Sequence, residues 1–553
     1  MRVLLLLLAL GVLIIPVSGL TLVEFCPDTY VAEDADEYVV LEGEGVLDGF
    51  TVSDGEGGFR FPVGSGISGR IIVARQGAAY QKVHGESPDY EIYDTSPAIA
   101  DVVRGGRFQM SNTRDELLLY QEGVLVQRIA WPDELTTREG QVHYLENGRW
   151  DPRPLFIGQS RFSPLTVDNV TLTAFVSPDG SFTVFSRVIV EAEKEIWVNV
   201  YEFSSSSLSA LLLDAHQRGV NLSLLLEGGP VGGITAEEHC AMRALADEGI
   251  LLRQMQTEGD THAKYQFDHA KYVIVDDAGV LLSSENFNDN GIPPPGRSGN
   301  RGWGVYIRDE RIASYFRQIF SWDIQGNDVL PFSPGVGVCN GTDSPAYTVE
   351  FSPQEFSGAR VTVVLAPDTS ALITGMIAGA QKSVEIEQAY IKNYSGNTPN
   401  PYLEEAFAAA RRGVQVRVLL DSSWFNINEP RDNDEMASYI NARGRNEGIP
   451  ISARCADLKN NNLDKIHNKG VIVDGNQVLV SSINWNEQSP SFNRESGVII
   501  EHPGAGAYYR AVFEDDWNAS TDTAIEGPDI TRIIIAILVV LALTGVYFFR
   551  IRR

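Results

Sequence analysis

His269-Ala270-Lys271-Tyr272-Val273-Ile274-Val275-Asp276 returns 198 residues later as His467-Asn468-Lys469-Gly470-Val471-Ile472-Val473-Asp474. Both stretches read HxKxxxxD, and the same offset carries Ser283-Ser284-Glu285-Asn286 onto Ser481-Ser482-Ile483-Asn484. The Val and Ile run after each lysine predicts a buried strand. Side chains two apart on a strand share a face, so each histidine and its lysine are expected to enter one cleft. Asp276 and Asp474 then fall at the strand ends. A turn and a second strand would return Ser284 and Asn286, or Ser482 and Asn484, beside each pair as hydrogen-bond donors.

Outward from the motifs the chain keeps repeating itself. Ala192-Glu193-Lys194-Glu195-Ile196 opens an apolar strand, as does Ala380-Gln381-Lys382-Ser383-Val384. A helix ends in Arg218-Gly219-Val220 before one branched run, and its counterpart ends in Arg412-Gly413-Val414 before another. Glycine there suits a helix C-cap. Aromatic helices over 313–322 and 507–517 close the copies. Helices alternating with strands predict an α/β fold with two similar halves, 165–330 and 345–520.

One near-copy is excluded. Thr261-His262-Ala263-Lys264-Tyr265-Gln266-Phe267-Asp268 has its aspartate one position short, and the 198-residue offset lands His262 on Asn460.

Ahead of the repeats, residues 21–150 alternate short apolar runs with Gly and Asp turns, which predicts an all-β sandwich. Residues 1–19 have the layout of a secretory signal peptide. The uncharged run 533–549, followed by Arg550, Arg552 and Arg553, predicts one transmembrane helix with a cytoplasmic tail. The expected protein is therefore anchored in the cell membrane by a single span, with its domains outside. Four cysteines (Cys26, Cys240, Cys339, Cys455) allow up to two disulfides in three pairings. None has the close spacing of a metal site, and no cofactor is expected. A net charge of -29 argues against loose binding of polyanions over the whole surface. Any anionic substrate must meet a local basic cleft.

The paired HxKxxxxD motifs, each trailed by a Ser-x-Asn element, resemble the signature of the phospholipase D superfamily. The resemblance covers about 165–520 and implies two α/β halves packed about a pseudo-twofold axis, with both motifs at one site. Leu47-Asp48-Gly49-Phe50-Thr51-Val52-Ser53-Asp54, with Ser111-Asn112 and Asp115-Glu116-Leu117-Leu118-Leu119 farther on, looks like an immunoglobulin-like lamin-tail domain. That likeness implies an accessory module.

A phosphodiester anion repels nucleophiles, so its cleavage needs fixed cations and a proton donor for the leaving oxygen. Lys271 and Lys469 supply charge. One neutral imidazole can attack while a protonated one donates, and the family route runs through a phosphohistidine without a metal. Family habit makes His269 the nucleophile and His467 the acid. It also implies that Glu495, in Asn493-Arg494-Glu495-Ser496-Gly497, orients His467. The matching Asn300-Arg301-Gly302-Trp303-Gly304 leaves His269 without such a partner. Asp276 and Asp474 orient and balance charge, while Ser284, Asn286, Ser482 and Asn484 bind substrate.

The expected function is a surface phosphodiesterase, first of all a nuclease. The alternative is a phospholipase D or cardiolipin synthase-like phosphatidyltransferase. A non-catalytic surface binding protein is the reading from another class. The substrate is nucleic acid or phospholipid, and no obligate protein partner is evident.

Overall fold

The structure is a computed structural model describing residues 19–256, 262–339, 344–430 and 432–520. The expected signal peptide lies almost wholly outside the described residues, and the expected transmembrane helix lies entirely outside them. Among the described residues, no helix is long and apolar enough to cross a membrane. The chain divides into two compact units. Of the described residues, one unit holds 19–159 together with 262–264, and the other holds the rest.

The first unit is a sandwich of an eight-stranded and a five-stranded sheet. Alternation along the strands explains it: Phe25, Val39 and Leu41 from one sheet meet Phe50, Val52, Leu117, Leu119 and Trp131 from the other in one core. The all-β expectation needs correcting at one edge. Strand Gly66–Gln76 pairs in parallel with Tyr90–Tyr93, and parallel neighbours need a crossover. The helix Gly77–His84 provides it, and Gly85, at φ 74°, closes that helix.

In the second unit the two repeats build one sheet whose order is nearly palindromic. From the middle of the sheet outward, the first repeat supplies Thr166–Ser177, Gly302–Arg308, Gly279–Ser283, Lys271–Val275, Glu195–Val200, Asn221–Glu227 and Leu251–Met255. The second repeat answers with Gln354–Ala366, Glu495–Glu501, Gln477–Ser481, Lys469–Val473, Ser383–Gln388, Gln415–Leu420 and Ile451–Cys455. Thr166–Ser177 and Gln354–Ala366 pair antiparallel and join the halves. Gly219 and Gly413 take φ of 96° and 93° after their helices, as their C-cap positions require.

Three cores follow from the strand faces. One face of each half is covered by that half's own helices, giving separate outer cores around Val198 and Leu224, and around Ile386 and Val418. The other faces share a central core, in which Tyr272, Ile274 and Val280 cluster with Ile472, Val478 and Val498. The amphipathic helices Glu310–Asp323 and Pro503–Ala519 add Phe316, Phe320, Tyr509 and Phe513 to it. Burying both motif strands in one shared core is what brings their leading histidines to a common place.

Candidate active site

Lys271–Val275 and Lys469–Val473 are buried at every position. The histidines stand two residues ahead of these strands, with side chains 12% and 16% exposed. Each ring therefore reaches the cleft from a backbone fixed in protein.

The fixing comes from the opposite repeat. His269 N–H donates to the carbonyl of Arg494 at 2.8 Å, and His467 N–H donates to that of Arg301 at 2.9 Å. Both arginines are buried and tie the halves together. Arg494 bonds Asp323, Asp368 and the Ala366 carbonyl, while Arg301 bonds Asp179, Asp516 and the Ser177 carbonyl. Carboxylates of the same repeat hold the residues just before the histidines. Glu227 accepts from Asp268 N–H at 2.6 Å, and Asp421 accepts from Ile466 N–H at 2.7 Å.

The rings are oriented across the repeats as well, which corrects the expected pairing. Glu495 partners His269, not His467: its Oε2 lies 2.8 Å from His269 Nδ1. Ser482 Oγ (2.6 Å), Asn493 Nδ2 (3.1 Å) and Ser489 Oγ also donate to Glu495. His467 is held by Glu285, whose Oε2 lies 3.1 Å from its Nδ1 and accepts from Asn300 Nδ2 at 2.9 Å. So His269 does have a carboxylate partner despite the glycine at 302. Sequence reasoning passed over Glu285 as the free position of a Ser-x-Asn element. The available signal was the swap itself, because the repeat that has Gly where the other has Glu495 carries a glutamate where the other has Ile483.

Each lysine bonds back onto its own motif. Lys271 Nζ donates to the His269 carbonyl at 2.8 Å and Lys469 Nζ to the His467 carbonyl at 2.5 Å. Burial pulls Lys271 down to about 8, against the pull of Glu495, and pulls Lys469 well below the usual lysine range. It also lowers His269 to about 4, against Glu495. His467 sits well below its ordinary value through burial and then Lys465, Lys469 and Lys271. The site thus presents neutral imidazoles beside the Lys271 ammonium, which suits an entering monoanion.

Other expected site residues are placed differently. Asp276 and Asp474 lie at the far ends of the motif strands, about 16 Å along the chain from the lysines. Asp276 caps the N–H groups of Glu193, Lys194 and Glu195, and Asp474 caps those of Gln381, Lys382 and Ser383. They brace the fold and do not enter the cleft. The Ser284 hydroxyl accepts from Trp303 N–H, and that of Ser482 is spent on Glu495 and Ser496. Asn286 donates to Glu202 at 3.1 Å, and the Asn484 side-chain carbonyl is buried without a partner. His262 belongs to the first unit, where its ring stacks on Tyr30.

Acids stand on both sides of the site. On the His269 side stand Tyr201, with its ring 4.7 Å from the imidazole, and the acids Glu202, Glu227 and Asp268. Burial pushes Glu227 up to about 7 and Asp268 well above its ordinary value. On the His467 side stand Asp421, Glu387 and Lys465.

The family described as cardiolipin synthase, PLD-like domain, matches residues 185–324 and 373–517, just over half of the chain. A probable cardiolipin synthase of Bacillus subtilis, YwiE, is 24% identical over 359 residues, 62% of this chain and 64% of that protein. Cardiolipin synthase A of Klebsiella pneumoniae is 23% identical over 332 residues, covering 56% of this chain and 61% of that one. The chain therefore spans less than two thirds of the length of these curated relatives. Among solved structures, phosphatidylserine synthase of Haemophilus influenzae aligns at 13% identity and a TM-score of 0.45, over 64% of this chain and 87% of that chain. With both motif repeats inside the matched segments, the chain belongs to the phospholipase D superfamily, in the family of cardiolipin synthase-like domains.

Proposed function

We propose that this protein is a phosphatidyltransferase of the cardiolipin synthase type, moving a phosphatidyl group between alcohols through a phosphohistidine. The observation that carries the chemistry is the crossed pair of contacts, His269 to Glu495 and His467 to Glu285. Each contact occupies an Nδ1 and leaves the Nε2 as the reacting atom, so that one ring attacks phosphorus and the other serves the leaving oxygen. Lys271 and Lys469 offset the charge of the diester.

Relatives named as cardiolipin synthases support a phospholipid substrate over the nuclease first expected. The setting agrees, because the chain as a whole is strongly acidic, a poor track for a nucleic-acid strand. Export with a C-terminal membrane anchor belongs to the same reading. It draws support from the terminal apolar runs and from the Cys240–Cys339 disulfide, which suits an oxidising compartment. The lamin-tail likeness of the first unit makes that unit an accessory module.

The test is to give the full chain, in mixed micelles, phosphatidylglycerol, phosphatidylglycerol with added short alcohols, or single-stranded DNA. Cardiolipin and the new phosphatidyl alcohols should appear without added metal and vanish in His269→Ala and His467→Ala. Cleavage of DNA with no lipid turnover would overturn the assignment.

A further inference from the structure

The two orienting carboxylates are not equivalent in their surroundings. Glu495 collects donors from Ser482, Ser489 and Asn493 besides the imidazole, so its negative charge is solvated by the protein. Glu285 has only Asn300 besides the imidazole, and its Oε1 is buried with no hydrogen-bond partner. A buried carboxylate that lacks donors favours its neutral form.

We propose that this difference gives the two histidines opposite tautomers: Glu495 accepts Nδ1–H and leaves His269 Nε2 bare, whereas Glu285 carries a proton, donates it to His467 Nδ1 and leaves His467 with Nε2–H. Glu285 is then a positioning residue that stores the proton the leaving group needs. The charged and titratable groups facing it are His467, Lys469 and Lys465 of the second repeat and Lys271 of its own. Burial raises Glu285 to about 7 in spite of these three lysines. Glu495 is lowered, because His269, Lys271 and Ser482 outweigh its burial.

The proton balance closes over a cycle. As His269 Nε2 bonds phosphorus, the P–O bond breaks and its electron pair stays on the leaving oxygen, which takes the proton from His467 Nε2. Glu285 passes its own proton to His467 Nδ1 and becomes a carboxylate. In the second half the acceptor alcohol gives its proton to His467 Nε2, Nδ1 returns a proton to Glu285, and the new P–O bond displaces His269.

This inference deepens the transferase reading and rests on it for the substrate, but half of its test does not use substrate. Nitrogen-15 NMR of histidine-labelled full chain, assigned with His269→Ala and His467→Ala, reads the tautomers directly. His269 should show Nδ1–H throughout, and His467 should show Nε2–H at pH 6 and move toward Nδ1–H as pH rises through about 7. In Glu285→Gln, whose amide N–H can still donate to Nδ1, that transition should disappear. Identical tautomers on both rings at every pH would overturn the proposal, whatever the substrate is. The second half compares leaving groups. Glu285→Gln should slow phosphatidylglycerol turnover about 100-fold, but phosphatidyl-p-nitrophenol, whose leaving group needs no proton, at least tenfold less. Equal losses on both esters would make Glu285 merely structural. The NMR result without any lipid turnover would sink the transferase assignment and leave the proton assignment standing.

Discussion

Gly302 leaves the room that Glu285 fills: a Cβ at position 302 would lie 2.3 Å from Glu285 Oε1. The second repeat has no such constraint, since it carries its carboxylate at 495 and an isoleucine at 483. Gly302→Ala is therefore expected to push Glu285 off His467 and to reduce kcat about 10- to 100-fold. Moving the carboxylate to its second-repeat position, in Glu285→Ala with Gly302→Glu, should recover a large part of that loss. Steady-state kinetics on phosphatidylglycerol decide it, and a double variant no better than Gly302→Ala would refute the account.

Arg494→Met would strand Asp323 and Asp368 in the core without their shared cation. Breaking a buried ion pair from one side costs about 3–5 kcal/mol. Urea unfolding should show a loss of that order, with a fall in turnover even where the protein stays folded, because the same residue seats the His269 backbone.

Asp474→Ala separates bracing from chemistry. Its carboxylate gathers three backbone N–H groups at the far end of the motif strand, and those bonds hold it below the usual carboxylate range against its burial. Loss of the bonds should lower stability by about 1–3 kcal/mol while kcat changes less than threefold. A loss of turnover matching that of His467→Ala would show that the residue acts on the chemistry and does not only brace the fold.

Cys240 and Cys339 close a loop of 99 residues, so Cys240→Ser, or reduction of the native protein, should lower stability by about 2–4 kcal/mol. Equal urea midpoints with and without reductant would contradict this.

In the sandwich, His143 stacks on Phe25, and burial lowers it to about 4 from 6.5. Between those values the unfolded chain binds a proton that the folded unit refuses, so stability falls as pH drops through the window. His143→Phe should remove about 2–3 kcal/mol of the difference between pH 7 and pH 4.5, measured by urea unfolding at both.

The sequence made the motifs, the doubled α/β plan and the sandwich legible because each is written in local periodicity or in one constant offset. Partnership across the pseudo-twofold axis is not written that way. Glu495 lies close in sequence to His467 and bonds His269 instead, since the strand beginning at Glu495 faces the first repeat's motif strand across the central core. Asp276 and Asp474 were expected to orient and balance charge at the site by membership of the motif, but strand length alone carries them away from the histidines. The helix Gly77–His84 went unseen because only the parallel pairing around it calls for a crossover.

Since the Arg301 and Arg494 carbonyls each seat a histidine of the other half, neither half can mature into a working catalyst by itself. A lesion on one side disarms an imidazole encoded some two hundred positions away. The carboxylate that holds each imidazole stands in a loop on one side and at a strand's start on the other, so the two halves complete each other by unlike means.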